Sequence, residues 1–400
     1  MLDVQNIEPQ QTAKTAGTRF LIFPQPPHLA GYEKPEPIWI STPPNEIAAG
    51  PADRRMYVVD PLFSKDPYSF PALPPFNGAT YPEASAGPDG HFDHFEVGSR
   101  EFVCAHAFAC NRFVLDVWET YLGREITWHF AESYDRLEII PYLSWYNAQS
   151  GYGFVELGTD QPETGVETPH ALNFDVIAHE LGHSILFAEM GFPVSGFDAS
   201  REFFGYHEVI ADTVSLLSLM HFDSVLERLL LRSKGNLLTL NELNRIAELS
   251  GDRQIRIASN DRKMSMVTDE VHDLSKPLTG ALFDTMIEIY HRNVEERGLV
   301  DLPDTVDWYR LRDMTGEEIE EIGYAFEEAS GARHGLLKGA LQDARDLIGL
   351  SIAQSWATLE PDGLTFAIGG AAIADQLDAV GETHAADRLM DNLRWREIIA

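Results

Sequence analysis

The sequence predicts an α+β fold in which strands come first and helices second. Short runs of β-branched and aromatic residues occur within the first 160 positions, and from about residue 172 onward most apolar residues have helical spacing. Apolar residues make up 44% of the 400-residue chain, which is enough to bury a core. We therefore expect a mixed β N-terminal subdomain and a mainly helical C-terminal subdomain.

The chain divides by composition into three parts. Residues 1–95 are a Pro/Gly-rich N-terminal extension with short strand-like runs at 37–40 and 56–59. Proline clusters interrupt these runs, which indicates loops and edge strands wrapped over other parts of the fold. Residues 96–192 form the α/β part of the predicted domain, and residues 193–400 form its helical part.

The predicted elements after residue 95 follow from apolar periodicity. A helix is expected from Phe102 to Tyr121, and strands are expected at 136–140 and 151–157. The helices predicted beyond residue 172 span 173–190, 205–222, 223–232, 240–249, 279–292, 316–330 and 334–355, with two more near the C-terminus.

Charge and cysteine content limit the partners and the compartment. The formal net charge of −33 argues against nucleic-acid partners and anionic membranes, because both are polyanions. No apolar run approaches the ~20 residues of a membrane span, so membrane insertion is not expected. Cys104 and Cys110 lie on one predicted helix about 9 Å apart in rise, too far for a disulfide, so we expect buried free thiols. The N-terminal sequence lacks the features of a signal peptide, and a cytoplasmic location is expected.

One short segment carries the clearest chemistry, the motif H-E-x-x-H from His179 to His183. On a helix the two histidines share one face, so both imidazoles can reach one metal ion. Glu180 stands beside the first histidine, where a carboxylate can act as general base toward a water. Asp175 in the first turn and Gly191 at the expected stop support a helix here. The alternative interpretation is a pair of surface histidines on an amphipathic helix.

A third ligand decides between these interpretations, because a catalytic zinc site uses three protein ligands. The metzincin extension is excluded, since Leu186 and Glu189 stand where it requires Gly and His. On the next predicted helix, Glu208 and Asp212 are one turn apart. Glu208 can be the carboxylate ligand, and Asp212 can accept the second N–H of a ligating histidine. The alternative is a solvated acidic face, but the apolar run 209–211 indicates a buried helix whose carboxylates need partners.

The H-E-x-x-H motif followed by Glu208 and Asp212 resembles the gluzincin pattern of thermolysin-like metallopeptidases. The resemblance covers roughly residues 96–400. It implies a zincin-like metalloprotease fold, with the active-site helix between the two subdomains and one catalytic zinc ion. It also implies hydrolysis of peptide or protein substrates with Glu180 as the general base.

Two further segments carry this resemblance. Asn147 and Ala148, followed by the run 153–158, resemble the edge strand that holds the substrate backbone in the family. His272, within the segment 269–272, resembles the family's transition-state histidine. The resemblance implies that His272 donates a hydrogen bond to the oxyanion formed when water attacks the carbonyl.

The chain also departs from the family pattern. The interval between His183 and Glu208 is longer than the family's usual one, so an expanded loop is expected over Phe192–Phe204, next to the site. His207 precedes Glu208, and it is either an alternate ligand or a neighbour that packs against or hydrogen-bonds the ligands. The family's calcium cluster does not carry over, so no calcium site is expected.

Three supporting roles of the family stay open at the level of sequence. Asp269 is a candidate for the acid that orients His272, at a shifted spacing. Tyr206 is a candidate for the tyrosine that assists the oxyanion. Arg253 and Arg256 are both candidates for a structural arginine.

The sequence therefore predicts a zinc metallopeptidase, and an endopeptidase is favoured. An aminopeptidase with the same chemistry is one alternative, although the G-x-M-E-N signature of that class is missing. A zincin-like module that binds a partner or a structural zinc, with little turnover, is another. Glu180 argues against that module, because a non-catalytic zinc site has no use for a general base.

Overall fold

A computed structural model describes most of the chain. The described ranges are 9–62, 65–159, 169–194, 196, 199–238, 245–250, 253–257, 260–302 and 315–400, with 245–250 and 253–257 described as backbone only.

Most strands precede most helices, as predicted, but two helices lie among the early strands and one strand pair lies between two late helices. The strands are β1 Thr18–Ile22, β2 Glu36–Ile40, β3 Met56–Val58, β4 Leu137–Ile140, β5 Ala148–Gly151, β6 Phe154–Leu157, β7 Arg245–Ser250 and β8 Arg253–Ile257. The helices are α1 Pro9–Ala16, α2 Arg100–Leu122, α3 Phe174–Met190, α4 Arg201–Leu219, α5 Asp223–Ser233, α6 Val271–Glu296, α7 Gly316–Ser355, α8 Phe366–Ala379 and α9 Thr383–Trp395. A mixed sheet and many helices confirm the α+β class.

The largest sheet has four strands in the order β3-β4-β6-β5. Strands β3, β4 and β6 run parallel, and β5 returns antiparallel to β6 with Ala148 opposite Leu157. Strand β5 is thus an outer strand of the sheet, as the resemblance implied for the segment at Asn147 and Ala148. Strands β1 and β2 form a separate antiparallel pair.

Helix α2 is buried along almost its whole length and is central to the core. It packs against α3, α7 and the β1–β2 pair. The ring of Trp118 stacks on that of Trp356 with centroids 5.2 Å apart, which joins α2 to the end of α7. Cys104 and Cys110 are both buried and free, as predicted, and burial raises the pKa of both thiols.

The N-terminal residues are tied to the rest of the fold by buried polar contacts. Lys65 forms an ion pair with Glu156 of β6, and both side chains are almost fully buried. Glu156 also accepts a hydrogen bond from Gln149 of β5 at 2.6 Å. Elsewhere, the amide of Gln25 donates to both carboxylate oxygens of Asp175 at 3.1 Å. These contacts attach the extension to β6 and to the start of α3.

The prediction of a helix at 240–249 is wrong. Residues 245–250 form strand β7, which pairs antiparallel with β8, and residues 239–244 lie outside the described part of the chain. In sequence, the two strands are separated by Gly251 and Asp252, a residue pair that favours hairpins over helices.

Three predicted helix boundaries also differ. Helix α6 starts at Val271, eight residues before the predicted position, because the Glu270 side chain accepts from the N–H groups of His272 and Asp273 and caps it. Helix α4 starts at 201, since the hydroxyl of Ser200 caps it. The predicted helices 316–330 and 334–355 are one continuous helix, α7.

Over the described residues, no single helix has the length and apolar composition of a membrane span. One sharply bent pair, α4 with α5, meets that criterion by length and composition alone.

Candidate metal centre

Helix α3 carries the H-E-x-x-H motif and is almost entirely buried. Its N-cap is Asn173, whose side-chain oxygen accepts from the N–H groups of Asp175 and Val176. Asp175 therefore supplies charge in the first turn and is not the cap. Gly191 ends the helix with a φ of 78°, and its N–H donates to the carbonyl of Phe187. A residue with positive φ was expected there, but its ψ of −167° is not that of a left-handed helical stop.

Helices α3 and α4 approach each other closely at Gly182. A methyl group added to this glycine would lie 2.9 Å from the Cα of Ala211 and 3.1 Å from the Cβ of Val214. The absence of a side chain at this position lets the two helices touch. Because Gly182 precedes His183 and Ala211 precedes Asp212, this contact brings the two motifs together.

The three predicted ligands converge at this crossing. His179 Nε2 lies 3.1 Å from His183 Nε2 and 3.5 Å from Glu208 Oε2, and His183 Nε2 lies 3.7 Å from Glu208 Oε1. One ligand atom from each residue lies within 4.8 Å of the other two. Two imidazole nitrogens and one carboxylate oxygen are a donor set that suits zinc.

The neighbouring carboxylate of Asp212 is placed as predicted. Its Oδ1 lies 3.0 Å from Nδ1 of His179, and its side chain is 3% exposed. This contact directs the Nε2 atom of His179 toward His183 and Glu208. The sequence predicted that Asp212 contacts one of the two motif histidines, and in the structure that histidine is His179.

The carboxylate of Glu208 is held in its charged form. Burial by itself would raise the pKa of Glu208, but three facing imidazoles, that of His183 foremost, hold that pKa well below its usual value. A deprotonated carboxylate at this position is what metal coordination requires.

His272 reaches the same cluster from the first turn of α6. Its Nδ1 lies 2.9 Å from Oε2 of Glu208, and half of its side chain is exposed. Asp269, the candidate for orienting this histidine, is itself exposed. The carboxylate that faces His272 is that of Glu208. The role considered for Asp269, that of orienting His272, is not supported.

These residues line an open cleft of 810 Å³. One wall is formed by Asn147 and Ala148 at the start of β5, and Glu180 is present in the same lining with 9% of its surface exposed. None of the described residues among the first 95 lines the cleft.

Two residues beside Glu208 have packing roles. His207 is 3% exposed, and its ring lies 4.1 Å from that of Phe187 and 4.8 Å from that of Phe203, centroid to centroid. Neither ring nitrogen has a hydrogen-bond partner among the residues described, and His207 is not part of the ligand group formed by His179, His183 and Glu208. Burial lowers the pKa of His207 well below its usual value. Tyr206 is fully buried and does not line the cleft, which removes it as a candidate for assisting the oxyanion.

The structure adds cleft residues that the sequence did not identify. Arg201 and Phe204 on α4, His170 before α3, and Lys276 on α6 all line the cleft. Arg201 and Phe204 were missed because the helix was predicted to begin at 205, although their spacing to Glu208 is that of one helical face. The side chains of the two candidate structural arginines, at 253 and 256, lie outside the described residues.

No protein-family model matches the sequence, and no curated protein matches it. Among solved structures, the precursor of protealysin, a metalloproteinase from Serratia proteamaculans, is similar with a TM-score of 0.47 and 12% sequence identity. That similarity covers 86% of this chain and 87% of the other. We therefore base the functional proposal on the geometry of the cleft.

Proposed function

We propose that this protein is a zinc-dependent metallopeptidase that hydrolyses peptide bonds, with endopeptidase action favoured. One observation carries the proposal: the ligand atoms of His179, His183 and Glu208 lie within 4.8 Å of one another in an open cleft. Glu180 lies in the same cleft, and a site built only to hold a structural ion would not need this carboxylate.

The side chains fit a catalytic zinc ion rather than a structural one. They supply three donors, and a catalytic site needs three with one position left open, whereas structural sites are usually closed by four. Asp212 supports the imidazole of His179, as carboxylates do for ligating histidines. A zinc ion in this site would polarise the scissile carbonyl and lower the pKa of a coordinated water.

The remaining steps belong to side chains of the chain itself. Glu180 takes a proton from the attacking water as the new C–O bond forms. It then gives that proton to the amine nitrogen as the C–N bond breaks. His272 has Nδ1 turned toward Glu208, so Nε2 is the ring nitrogen that donates to the developing oxyanion. Asn147 and Ala148 align an extended substrate along the outer edge of β5.

Substitution Glu180→Gln tests the proposal. The change removes the proton acceptor but none of the ligands, so cleavage of an unstructured peptide should be abolished while zinc stays bound. Glu189→Gln is the matched control, because Glu189 is on the same helix but pairs with Arg124 away from the cleft. Cleavage by Glu180→Gln at the wild-type rate would refute the mechanism.

The choice of peptide separates the two kinds of peptidase. An N-terminally acetylated peptide offers no free amine to anchor. Its cleavage is expected for an endopeptidase and would rule out strict aminopeptidase action. Bound zinc without cleavage of any peptide would instead favour a zinc-binding module without turnover.

A further inference from the structure

One face of helix α4 carries four residues that line the cleft, spaced three or four positions apart. Arg201, Phe204 and Glu208 are at positions i, i+3 and i+7, and Asp212 follows one turn later. All four line the cleft. Because positions three and four apart share a helical face, Arg201 points along the same stripe as the predicted ligand, near the N-terminal end of the helix.

Arg201 differs from the other cation of the cleft. Lys276 Nζ lies 2.8 Å from Oδ1 of Asp273, so its charge is compensated within α6. Arg201 is exposed and forms no hydrogen bond or ion pair with any residue that the structure describes. In a chain with 63 acidic and 30 basic residues, an arginine without a carboxylate partner is unexpected. Arg112, for comparison, contacts both Asp53 and Asp116.

Three of the five acids that line the cleft are engaged elsewhere. The Glu270 side chain accepts the N–H groups of His272 and Asp273 as the cap of α6, at 3.2 and 2.9 Å. Asp273 accepts from the N–H and the hydroxyl of Thr268 besides pairing with Lys276. Glu208 belongs to the ligand cluster. With no acidic partner among the described residues, the guanidinium of Arg201 can receive an anion that enters the cleft from outside.

We propose that Arg201 determines specificity by binding a carboxylate of the peptide substrate, so that the protein prefers acidic peptides. This inference rests on the proposed peptidase function. A guanidinium presents two parallel N–H donors that match the two oxygens of a carboxylate, which gives such pairs both strength and orientation. Phe204, one turn along, supplies apolar surface for the methylene groups of the bound side chain.

The position of the bound carboxylate follows from helix geometry. Seven residues separate Arg201 from Glu208, which corresponds to roughly 10 Å of rise. An extended peptide advances about 3.3 Å per residue. The carboxylate is therefore expected about three residues from the scissile bond. Either a Glu or Asp side chain or the C-terminal carboxylate of a short peptide could supply it.

A peptide series tests this position. Acetylated, amidated 12-residue peptides carry a single Glu at each position in turn, with Gln at the same position as the uncharged match. One further peptide has a free C-terminal carboxylate in place of the amide. Wild type, Arg201→Gln and Arg201→Glu are compared. Arg54→Gln is the control, because Arg54 pairs with Glu125 on the surface and does not line the cleft.

Wild type should cleave the best Glu peptide about tenfold faster in kcat/KM than its Gln match, as expected for a charge-assisted hydrogen bond. That ratio should fall to about one in Arg201→Gln and stay tenfold in Arg54→Gln. In Arg201→Glu the ratio should fall below one, because the new carboxylate repels the Glu peptide. A gain confined to the free C-terminus would identify the terminal carboxylate as the bound group.

The same Glu-to-Gln ratio in wild type and Arg201→Gln would overturn the role of Arg201 and leave the peptidase proposal intact. If wild type cleaves no peptide, the proposed peptidase function fails. Peptide binding then tests whether Arg201 recognises a carboxylate. Fluorescence anisotropy of the same peptides with Glu180→Gln and with the Glu180→Gln, Arg201→Gln double variant then measures the ratio without turnover. Equal affinities of the Glu180→Gln protein for Glu and Gln peptides would overturn the proposed role of Arg201.

Discussion

The Nδ1 atom of His179 lies 3.0 Å from Oδ1 of Asp212, one turn beyond Glu208 on the neighbouring helix. This pair fixes which nitrogen of His179 faces the ligand cluster. Partners of this kind typically account for a 10- to 100-fold difference in metal affinity.

Substitution Asp212→Asn is expected to weaken zinc binding by about 10- to 100-fold while the chain stays folded. Competition with a fluorescent chelator measures the dissociation constant. Asp375→Asn, at an exposed position on α8, is the matched control and should leave the constant unchanged. Wild-type affinity in Asp212→Asn would mean that the carboxylate does not support a ligand.

Substitution Gly182→Ala should force α3 and α4 apart, because the added methyl group has no space against Ala211. Overpacking of this kind costs about 1–3 kcal/mol of unfolding free energy, and zinc affinity should fall with it because Glu208 is displaced. Urea unfolding and chelator competition measure the two effects.

Gly331→Ala is the control for Gly182→Ala. Gly331 lies in α7, where an added methyl group meets nothing within 4 Å. Alanine in place of a helical glycine should raise the free energy of unfolding there by about 0.5–1 kcal/mol. A Gly182→Ala protein as stable as this control would contradict the close contact between α3 and α4.

Substitution His272→Ala should lower kcat by about 10²- to 10³-fold with zinc retained, the usual loss when an oxyanion donor is removed. Elemental analysis and steady-state kinetics with an acetylated peptide measure both quantities. His384→Ala, on α9 and away from the cleft, should be neutral. Loss of zinc with unchanged kcat in the zinc-loaded fraction would instead make His272 a residue that positions Glu208.

Acid should destabilise the protein below about pH 6.5, because buried histidines are held neutral. Burial lowers the pKa of His106 to about 4 and that of His291 to about 3. The unfolded chain takes up these protons near pH 6.5 and the folded chain does not, so stability is complete above that pH and is lost below it. Each histidine contributes a slope of about 1.4 kcal/mol per pH unit.

Urea unfolding between pH 7 and pH 5 measures that slope. His291→Leu removes one of the buried neutral histidines and should flatten the dependence of unfolding free energy on pH by roughly the contribution of one proton. The same slope in His291→Leu and wild type would show that His291 titrates normally in the folded protein.

The sequence identified the side chains that come together in the cleft because their spacing along each helix is local. Helical spacing of one turn places His179 with His183, and Glu208 with Asp212, whatever the tertiary structure. The convergence of the two helices is different. It depends on a close approach at Gly182 and Ala211, and periodicity alone does not reveal which faces touch.

The misses also have local causes. The helix was predicted to begin at 279, so His272 was placed before α6 rather than within its first turn, where Glu270 caps the helix. Starting α4 at 205 hid the spacing that puts Arg201 on the face of Glu208. In both cases a side-chain cap, and not apolar periodicity, sets where the helix begins.

A catalytic zinc ion held by His179, His183 and Glu208 would make metal content and cleavage rise and fall together. Elemental analysis and cleavage of an acetylated, internally quenched peptide are measured before chelation, after chelation, and after zinc is added back. We expect one zinc per folded chain, loss of both zinc and cleavage on chelation, and recovery of both with zinc. A folded chain that holds no zinc, or that cleaves equally well after the metal is removed, would contradict it.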